Sequence, residues 1–249
     1  MSPELMFSAQ QLGKSYPGAE GPISVFDDLS MTIRRGEFVA IVGSSGCGKS
    51  TLLRLLAGLE NADRGKLRFA NEDIRGPARG IGYLPQTYDL FPWKTVSENI
   101  AIGLAQHRLT REQRTARIAQ LIAEIRLTGF EHALPKQLSG GMRQRVALAR
   151  TLVSSPAALL LDEPFGALDP QTREILNLLV RSAFEGGAIS TVVLVTHDLD
   201  EAVRNADRLF VLSPRMPTQI TFSSATARVD PSAPADDVLL GECRKHLDR

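Results

Sequence analysis

The 249-residue chain is long enough to bury one large core, or one core with a subdomain. Charged residues make up 23% and hydrophobic residues 43%, with a formal net charge of +1, so the composition indicates a globular protein without the basic surface typical of nucleic-acid binding. No apolar run approaches about 18 residues and the first residues lack a signal-peptide pattern, so we expect neither a spanning helix nor secretion. Cys47 and Cys243 are the only cysteines, and we expect a reduced cytosolic protein without disulfides.

The first predicted elements are antiparallel strands. Residues 5–42 alternate apolar and polar positions around turns at residues 16–18 and 34–36. Tyr16 lies at the first of these turns. Its ring can stack on a nucleotide base, or it can be a turn tyrosine resting on the surface, and its spacing alone favours neither.

A phosphate-binding loop follows at residues 43–50, which read G-x-x-x-x-G-K-S. The apolar stretch 37–42 before it predicts a buried strand, and residues 51–58 after it predict a helix that ends in a glycine. Glycines allow backbone N–H groups to surround phosphate at a helix N-terminus, where Lys49 can reach the β- and γ-phosphates and Ser50 can ligate Mg²⁺. The pattern does not separate a kinase, a GTPase and a transport ATPase. The predicted nucleotide-binding residues of this loop are Gly43, Ser44, Ser45, Gly46, Cys47, Gly48, Lys49, Ser50 and Thr51.

An aromatic loop follows the next two predicted strands, at residues 64–70 and 81–86. Residues 91–96 are broken by proline and carry Phe91 and Trp93. Aromatic side chains in such a loop can receive a partner, or they can pack within the protein.

The following region is predicted to be helical over residues 97–130, with a capping box formed by Thr110 and Gln113. Residues 138–145, which read Leu-Ser-Gly-Gly-Met-Arg-Gln-Arg, then introduce a helix that continues through Leu152. This second glycine turn before a helix is a potential second anion site, or an ordinary helix start.

Two acidic residues follow a strongly apolar strand at residues 157–161. Asp162 and Glu163 stand at its carboxyl end, where open α/β sheets bind ligands. Asp162 is suited to hold Mg²⁺ and Glu163 to orient or deprotonate an attacking water. The alternative is an acidic turn that caps the next helix.

The remaining predicted elements are a helix at residues 171–186 and strands at residues 190–196 and 208–212. His197 follows the first of these strands and can contact a γ-phosphate, although a single histidine at a strand end is more often structural. Residues 223–237 are rich in Ser, Ala, Pro and Asp, and we expect them to be poorly ordered.

The chain resembles the ATP-binding cassette (ABC) ATPases over about residues 5–222. The resemblance depends on the order of the motifs, of which the signature Leu-Ser-Gly-Gly-Gln is absent from other P-loop classes. The motifs are the P-loop at 43–50, a Q-loop glutamine at Gln86, the signature at 138–142, the acidic strand end at Asp162 and Glu163, a D-loop at 167–169 and a switch histidine at His197.

Three segments resemble more narrowly the bacterial importers of nitrate, sulfonates and taurine: residues 90–96, 162–169 and 211–215. Two positions depart from the pattern. Met216-Pro217 stands where Pro-Gly usually follows, and Met142 replaces the glutamine of the signature. Because the phosphate contacts of that motif come chiefly from serine and glycine backbone groups, we expect activity to survive the second change.

The resemblance implies an α/β fold, namely the P-loop NTPase fold of ABC ATPases. It has a mixed RecA-like α/β core, an antiparallel β-subdomain and a helical subdomain at about residues 88–155. Residues 1–222 would form this single domain, and residues 223–249 a short C-terminal tail that can be flexible.

The resemblance also implies a reaction at the interface of two cassettes. ATP would bind between the P-loop of one copy and the signature of another, so a monomer would hydrolyse almost none. Tyr16 becomes the candidate for stacking on adenine. The implied catalytic residues are Glu163, His197, Gln86 and Lys49, the residues acting in trans are Ser139, Gly140, Gly141 and Asp169, and the Mg²⁺ residues are Ser50, Gln86 and Asp162.

The implied function is a translocase-class ATPase that powers uptake of a small anion or organosulfur solute. Its partners would be a second cassette, membrane permease subunits bound through the Gln86–Trp93 region and, indirectly, a periplasmic or lipid-anchored solute-binding protein, with no nucleic acid. It would be peripheral, at the cytoplasmic face of the inner or plasma membrane. A soluble ABC ATPase of DNA repair or translation is the alternative, but no second cassette or sustained heptad repeat supports it. A small-molecule kinase would need an acceptor site in place of the signature.

Overall fold

The computed structural model describes residues 4–166, 168–225 and 237–247, without the side chains of residues 237 and 238. Ala167 of the predicted D-loop lies outside the described residues. The elements in chain order are β1 (Leu5–Tyr16), β2 (Ile23–Arg34), β3 (Phe38–Val42), α1 (Lys49–Leu56), β4 (Arg64–Phe69), β5 (Glu72–Asp73), β6 (Ile81–Leu84), α2 (Val96–Ile102), α3 (Arg111–Glu124), a 3₁₀ turn (Pro135–Gln137), α4 (Gly140–Leu152), β7 (Ala158–Asp162), α5 (Pro170–Glu185), β8 (Thr191–Thr196), α6 (Leu199–Asn205), β9 (Arg208–Leu212), β10 (Ile220–Ala225) and α7 (Asp237–Leu247).

The described residues form two compact units. The first comprises those within Met1–Ile81, Ala158–Glu163 and Ser190–Arg249, and the second comprises Gly82–Ala157 and Pro164–Ile189. The second unit contains the segment of about 88–155 for which we predicted a helical subdomain. The assignment of residues 1–222 to one domain stays a prediction.

The first unit contains an antiparallel sheet with the strand order β2-β1-β4-β5. β1 pairs antiparallel with both β2 and β4, which confirms the antiparallel strands predicted from the alternating pattern. The inward residues of these strands include Phe7, Leu12, Phe26 and Ile33, each at most 1% exposed. Burying their apolar surface is the main stabilising contribution of this sheet.

The larger sheet of the first unit has the order β10-β9-β3-β8-β7. β3 is parallel to β8 and β9, β7 is parallel to β8, and β10 is antiparallel to β9. Every residue of β3, β7 and β8 is buried, as expected of central parallel strands.

The carboxyl ends of three central strands are level in this sheet. Val42 at the end of β3 pairs with Thr196, and Asp162 at the end of β7 pairs with Val195. The segments that follow these strands therefore begin at one edge of the sheet, which is where ligands bind in α/β folds.

The second unit is helical and corrects one prediction. Residues 97–130 do not form a continuous helix, because α2 ends at Ile102 and α3 begins only at Arg111. A side chain at Gly103 would clash with the carbonyl of Arg150, so the chain passes close to α4 here. The capping box predicted at Thr110 and Gln113 is confirmed and starts the new helix.

The C-terminal region corrects a second prediction. Residues 223–225, which we expected to be poorly ordered, belong to β10, where they pair with β9. Of the rest of that predicted segment, residues 226–236 lie outside the described residues, and Asp237 begins α7. None of the helices in residues 4–166, 168–225 and 237–247 has the length and hydropathy to cross a bilayer.

Candidate nucleotide-binding site

The glycine loop connects the end of β3 to the start of α1. Gly46 and Gly48 have φ of 83° and 94°, a left-handed conformation that glycine adopts without strain. A Cβ at Gly48 would lie 2.5 Å from Val25 Cγ1 of β2, whereas a Cβ at Gly46 would meet nothing. Gly48 is the N-cap of α1 and contributes no side-chain cap to the first turn, and the N-terminus of a helix is a site that favours an anion.

The side chain of Lys49 lies along this loop and is only 5% exposed. Its Nζ donates to the carbonyl oxygens of Gly43 at 2.8 Å and Ser44 at 2.9 Å, and lies 3.7 Å from Glu163 Oε1. The ammonium is thus fixed at the mouth of the loop. A phosphate bound to the N–H groups would find this positive charge beside it.

Two oxygen-bearing side chains meet next to the loop. Ser50 Oγ donates to Asp162 Oδ1 at 2.9 Å, and Asp162 is 3% exposed. A hydroxyl and a carboxylate are the oxygen ligands that Mg²⁺ accepts, and this ion typically takes its other ligands from water and substrate phosphates. The residues therefore fit Mg²⁺ in the presence of a nucleotide.

Glu163 and His197 lie at the same sheet edge. His197 Nδ1 is 3.3 Å from Glu163 Oε2, and the side chain of Glu163 is 21% exposed. Glu163 has φ of 47°, a conformation that costs energy for a residue other than glycine and that often marks functional positions. Its N–H donates to Val195 O at 2.9 Å, which holds this backbone against β8. The sheet edge thereby gathers Lys49, Ser50, Asp162, Glu163 and His197, as the sequence predicted.

Tyr16, the predicted base-stacking residue, ends β1 in the same unit. Its hydroxyl donates to Glu60 Oε2, and Lys14 Nζ lies 5.2 Å from the centre of its ring. Burial raises the pKa of the Tyr16 hydroxyl, and the hydrogen bond to Glu60 raises it further. The hydroxyl is therefore protonated at neutral pH.

Thr218 is a contributor to the loop that sequence reasoning missed. Its hydroxyl donates to the carbonyl of Cys47 at 2.8 Å and its N–H donates to Val25 O at 2.7 Å, while Thr218 itself is 1% exposed. The segment before it showed only a break in the strand pattern. Nothing in the local sequence indicated a contact to a loop 171 positions earlier.

The predicted trans-acting residues lie in the second unit, at the N-termini of α4 and α5. Ser139 is the N-cap of α4 and accepts from Met142 N–H at 3.2 Å; Asp169 is the N-cap of α5 and accepts from Thr172 N–H at 3.0 Å. A Cβ at Gly141 would lie 3.0 Å from Thr172 Cγ2, so the starts of the two helices are in contact. Hydrogen bonds from Thr172 hold the pKa of Asp169 below its ordinary value.

The aromatic loop is held by a buried residue that the sequence did not reveal. Asn99, 0% exposed, accepts from Phe91 N–H at 2.9 Å and donates to the carbonyls of Lys94 and Thr95, both at 2.9 Å. Trp93 is 70% exposed and meets Phe91 edge-on at 5.6 Å between ring centres. The loop thus presents exposed aromatic surface on a well-defined backbone. Gln86 is exposed earlier in the same unit, just after β6.

Comparison with known proteins agrees with this arrangement. Residues 26–166 match the family model described as ABC transporter. The aliphatic sulfonates import ATP-binding protein of Bacillus thuringiensis is 40% identical over 206 residues, which are 83% of this chain and 80% of that protein. The nitrate import ATP-binding protein of Synechocystis is 41% identical over 82% of this chain and 76% of its own length. The taurine import ATP-binding protein of Burkholderia pseudomallei is 41% identical over 83% of this chain and 79% of its own length.

A solved structure with similar architecture is the dimeric, post-hydrolysis state of the ATP-binding cassette MJ0796 with ADP and Pi. It aligns with a TM-score of 0.81 and 30% identity over 89% of this chain and 99% of that one. A second dimeric structure of MJ0796 aligns equally well.

The strand, glycine loop and helix, together with the Ser50–Asp162 pair, define a P-loop nucleotide-binding protein. The match over residues 26–166 and the relatives at about 40% identity go further: the chain belongs to the ABC transporter family and has the fold of its ATP-binding cassettes. The family and the fold class predicted from the sequence are thereby confirmed.

Proposed function

We propose that this chain is the ATP-hydrolysing subunit of an ABC importer for a small anion or organosulfur solute of the nitrate, sulfonate or taurine type. The observation that carries the proposal is the gathering of Lys49, the Ser50–Asp162 pair and the Glu163–His197 pair at one sheet edge. The names of the relatives support the solute class, since they are sulfonate, nitrate and taurine import ATP-binding proteins.

ATP would bind with its phosphates on residues 43–51. The N–H groups of the loop and Lys49 would neutralise the phosphate charge, and Ser50 and Asp162 would hold Mg²⁺. The bound ion supplies additional charge neutralisation on the phosphate oxygens. Stabilising charge in this way is the main task in phosphoryl transfer, since the protein does little covalent chemistry.

Glu163 would accept a proton from the attacking water. Its carboxylate is only partly exposed and is held between Lys49 and His197, so it is positioned near the γ-phosphate end of the loop. A positioned base of this kind contributes about 10²–10⁴-fold to a rate. His197 would hold Glu163 in place through Nδ1 and contact the γ-phosphate.

The second half of the site would come from another copy of the chain. Ser139, Gly140, Gly141 and Asp169 of that copy would close over ATP in trans. Tyr16 of the chain whose P-loop binds the phosphates would stack on the adenine. A Cβ at Gly140 would meet only Arg143 Nη2 at 4.0 Å, so the chain itself leaves room there for an approaching ligand. The dimeric MJ0796 cassettes support an arrangement of two copies.

Membrane permease subunits would bind through the Gln86–Trp93 region. The exposed Trp93 and Phe91, on a backbone fixed by Asn99, give a partner an ordered apolar contact. The chain would then be peripheral at the cytoplasmic face of the membrane, and a periplasmic or lipid-anchored solute-binding protein would act on the far side, without nucleic acid as a partner.

Growth of a deletion strain tests this function. Cells lacking the chain should fail to use a sulfonate, taurine or nitrate as the sole source of sulfur or nitrogen. The parent chain should restore growth, and a Lys49→Ala variant made at the same level should not. Normal growth of the deletion strain on all three would contradict the solute class, and purified parent chain without ATPase activity at any concentration would contradict the enzyme.

A further inference from the structure

The candidate base-stacking residue Tyr16 belongs to a polar cluster in the first unit that no phosphate contact uses. Besides the bond from its hydroxyl to Glu60, the side chain of Tyr16 lies near Thr51 in the first turn of α1. Glu60 is held in turn by Arg54, whose Nε lies 2.8 Å from Glu60 Oε1. The ring is thus connected by side chains to the helix that follows the phosphate-binding loop.

One side of the Tyr16 ring is also occupied. Lys14 lies over the ring with Nζ 5.2 Å from its centre, and the same Nζ donates to Asn61 O at 2.9 Å and reaches Asp63 Oδ1 at 3.4 Å. An ammonium over an aromatic face is attracted by the ring. Lys14 and Glu60 therefore contact Tyr16 at two different places, the ring face and the hydroxyl.

We propose that Glu60 is a positioning residue for nucleotide binding, which acts by holding the Tyr16 ring in the orientation that stacks on the base. This inference rests on the proposed ATP-binding function. Glu60 touches no reacting atom, and its effect passes through the Tyr16 hydroxyl. The hydroxyl is used for this internal bond rather than for the ligand, so the ring recognises the base through its face.

Two consequences follow from this arrangement. First, removing the hydroxyl and removing the acceptor break the same bond, so their effects should not add. Second, neither change should alter the affinity for a phosphate ligand that has no base. If the substitutions merely weakened α1, the affinity for every phosphate ligand would fall. A loss of affinity confined to ligands that carry a base therefore distinguishes positioning of Tyr16 from a purely structural role of Glu60.

The test uses the full chain with Tyr16→Phe, Glu60→Met and the double variant. Glu72→Met is the matched control, because Glu72 is exposed on β5 in the same unit. Affinity for MgATP is measured by fluorescence of a mant-labelled ATP, and affinity for inorganic tripolyphosphate by calorimetry. Each single variant should weaken MgATP binding about fivefold, corresponding to the loss of one hydrogen bond, and the double variant should weaken it no further.

Tripolyphosphate should bind all variants as it binds the parent chain. Equal losses for MgATP and tripolyphosphate, additive losses in the double variant, or MgATP affinities equal to those of Glu72→Met would each overturn the inference. If Glu60→Met does not fold, Tyr16→Phe alone decides between the base-specific and the general loss. A parent chain that does not bind MgATP would overturn the proposed function as well, whereas losses that do not depend on the base, in a parent chain that binds MgATP, would overturn this inference alone.

Discussion

Lys49 and Glu163 form an ion pair, with Nζ 3.7 Å from Oε1, at the edge of the sheet where β3 and β7 end. The other oxygen of Glu163 lies 3.3 Å from His197 Nδ1. The group that we propose binds phosphate and the group that we propose activates water are therefore in contact. Substrate phosphate would compete with Glu163 for the same ammonium, so we expect nucleotide binding to change the partners of this carboxylate.

Replacing Glu163 by Gln should separate binding from hydrolysis. The variant keeps the size of the side chain but loses the base, so turnover should fall at least about 100-fold. MgATP affinity should be no weaker than that of the parent, because one negative charge near the phosphates is removed. With MgATP the variant should also form a persistent dimer. Turnover assays, mant-ATP titration and size-exclusion chromatography with MgATP measure these three results.

Glu124→Gln, an exposed change at the end of α3, is the control for this experiment. Hydrolysis by Glu163→Gln at the rate of this control would show that Glu163 is not the base.

The two signature glycines should respond differently to alanine. A Cβ at Gly141 would press on Thr172 at 3.0 Å, so Gly141→Ala should lower the free energy of unfolding by about 1–3 kcal/mol. Gly140 has open space, so Gly140→Ala should leave the unfolding free energy of the chain unchanged while ATPase turnover falls, because the added methyl group meets the ligand in trans.

Urea unfolding and ATPase assays on the same preparations measure both effects. Adding Thr172→Ala to Gly141→Ala removes the contacting atoms and should recover part of the lost stability. A loss of stability in Gly140→Ala equal to that in Gly141→Ala would contradict the distinction.

Thr218→Val should destabilise the phosphate-binding loop, although Thr218 itself lies outside residues 43–51. The change removes the donor to the buried Cys47 carbonyl, and a buried acceptor without a partner costs about 1–3 kcal/mol of stability. Thr221→Val is the matched control, since the Thr221 hydroxyl donates to Val211 O at 3.2 Å in a half-buried position. Calorimetric titration with MgATP should show weaker binding for the first variant only, and equal affinities would exclude a role for Thr218 in the loop.

Cys47 reports on the loop through its thiol chemistry. Burial raises the pKa of Cys47, and the nearby ammonium of Lys49 opposes this effect only in part. Since the thiolate is the reactive form, alkylation by iodoacetamide should be slow at neutral pH and accelerate as pH rises through the raised pKa. The protonated thiol contributes stability below the pKa of the unfolded chain, and that contribution is lost as pH rises through the folded value.

MgATP should slow the alkylation of Cys47 further by covering the loop. The measurement is mass spectrometry of a Cys243→Ala variant, which leaves Cys47 as the single thiol. Equal labelling with and without MgATP would contradict the binding of phosphate at residues 43–51.

Local patterns account for what the sequence predicted correctly. The glycine loop, the strand that ends in Asp162 and the capping box at Thr110 each depend on residues within a few positions, and parallel strands bring their carboxyl ends to one edge without further information. The family resemblance added the prediction of residues that act in trans, which no pattern within one chain could provide.

Long-range contacts account for what the sequence did not reveal. Thr218 reaches Cys47 across 171 positions, and Glu60 reaches Tyr16 across 44. The break after α2 depends on the close approach of Gly103 to α4 rather than on the helical periodicity of its own segment. Such contacts are set by the packing of whole elements, which alternating and helical patterns do not encode.

The central claim is that two copies of the chain complete each ATP site, and the most direct measurement is steady-state turnover per chain as the protein is diluted. If the site is shared, turnover per chain should fall in proportion to protein concentration once dimers are the minority. A dilution series of about a hundredfold covers this range. Removal of the Ser139 hydroxyl should lower turnover further at every concentration. A turnover per chain that stays constant on dilution, in the parent and in Ser139→Ala alike, would contradict the account.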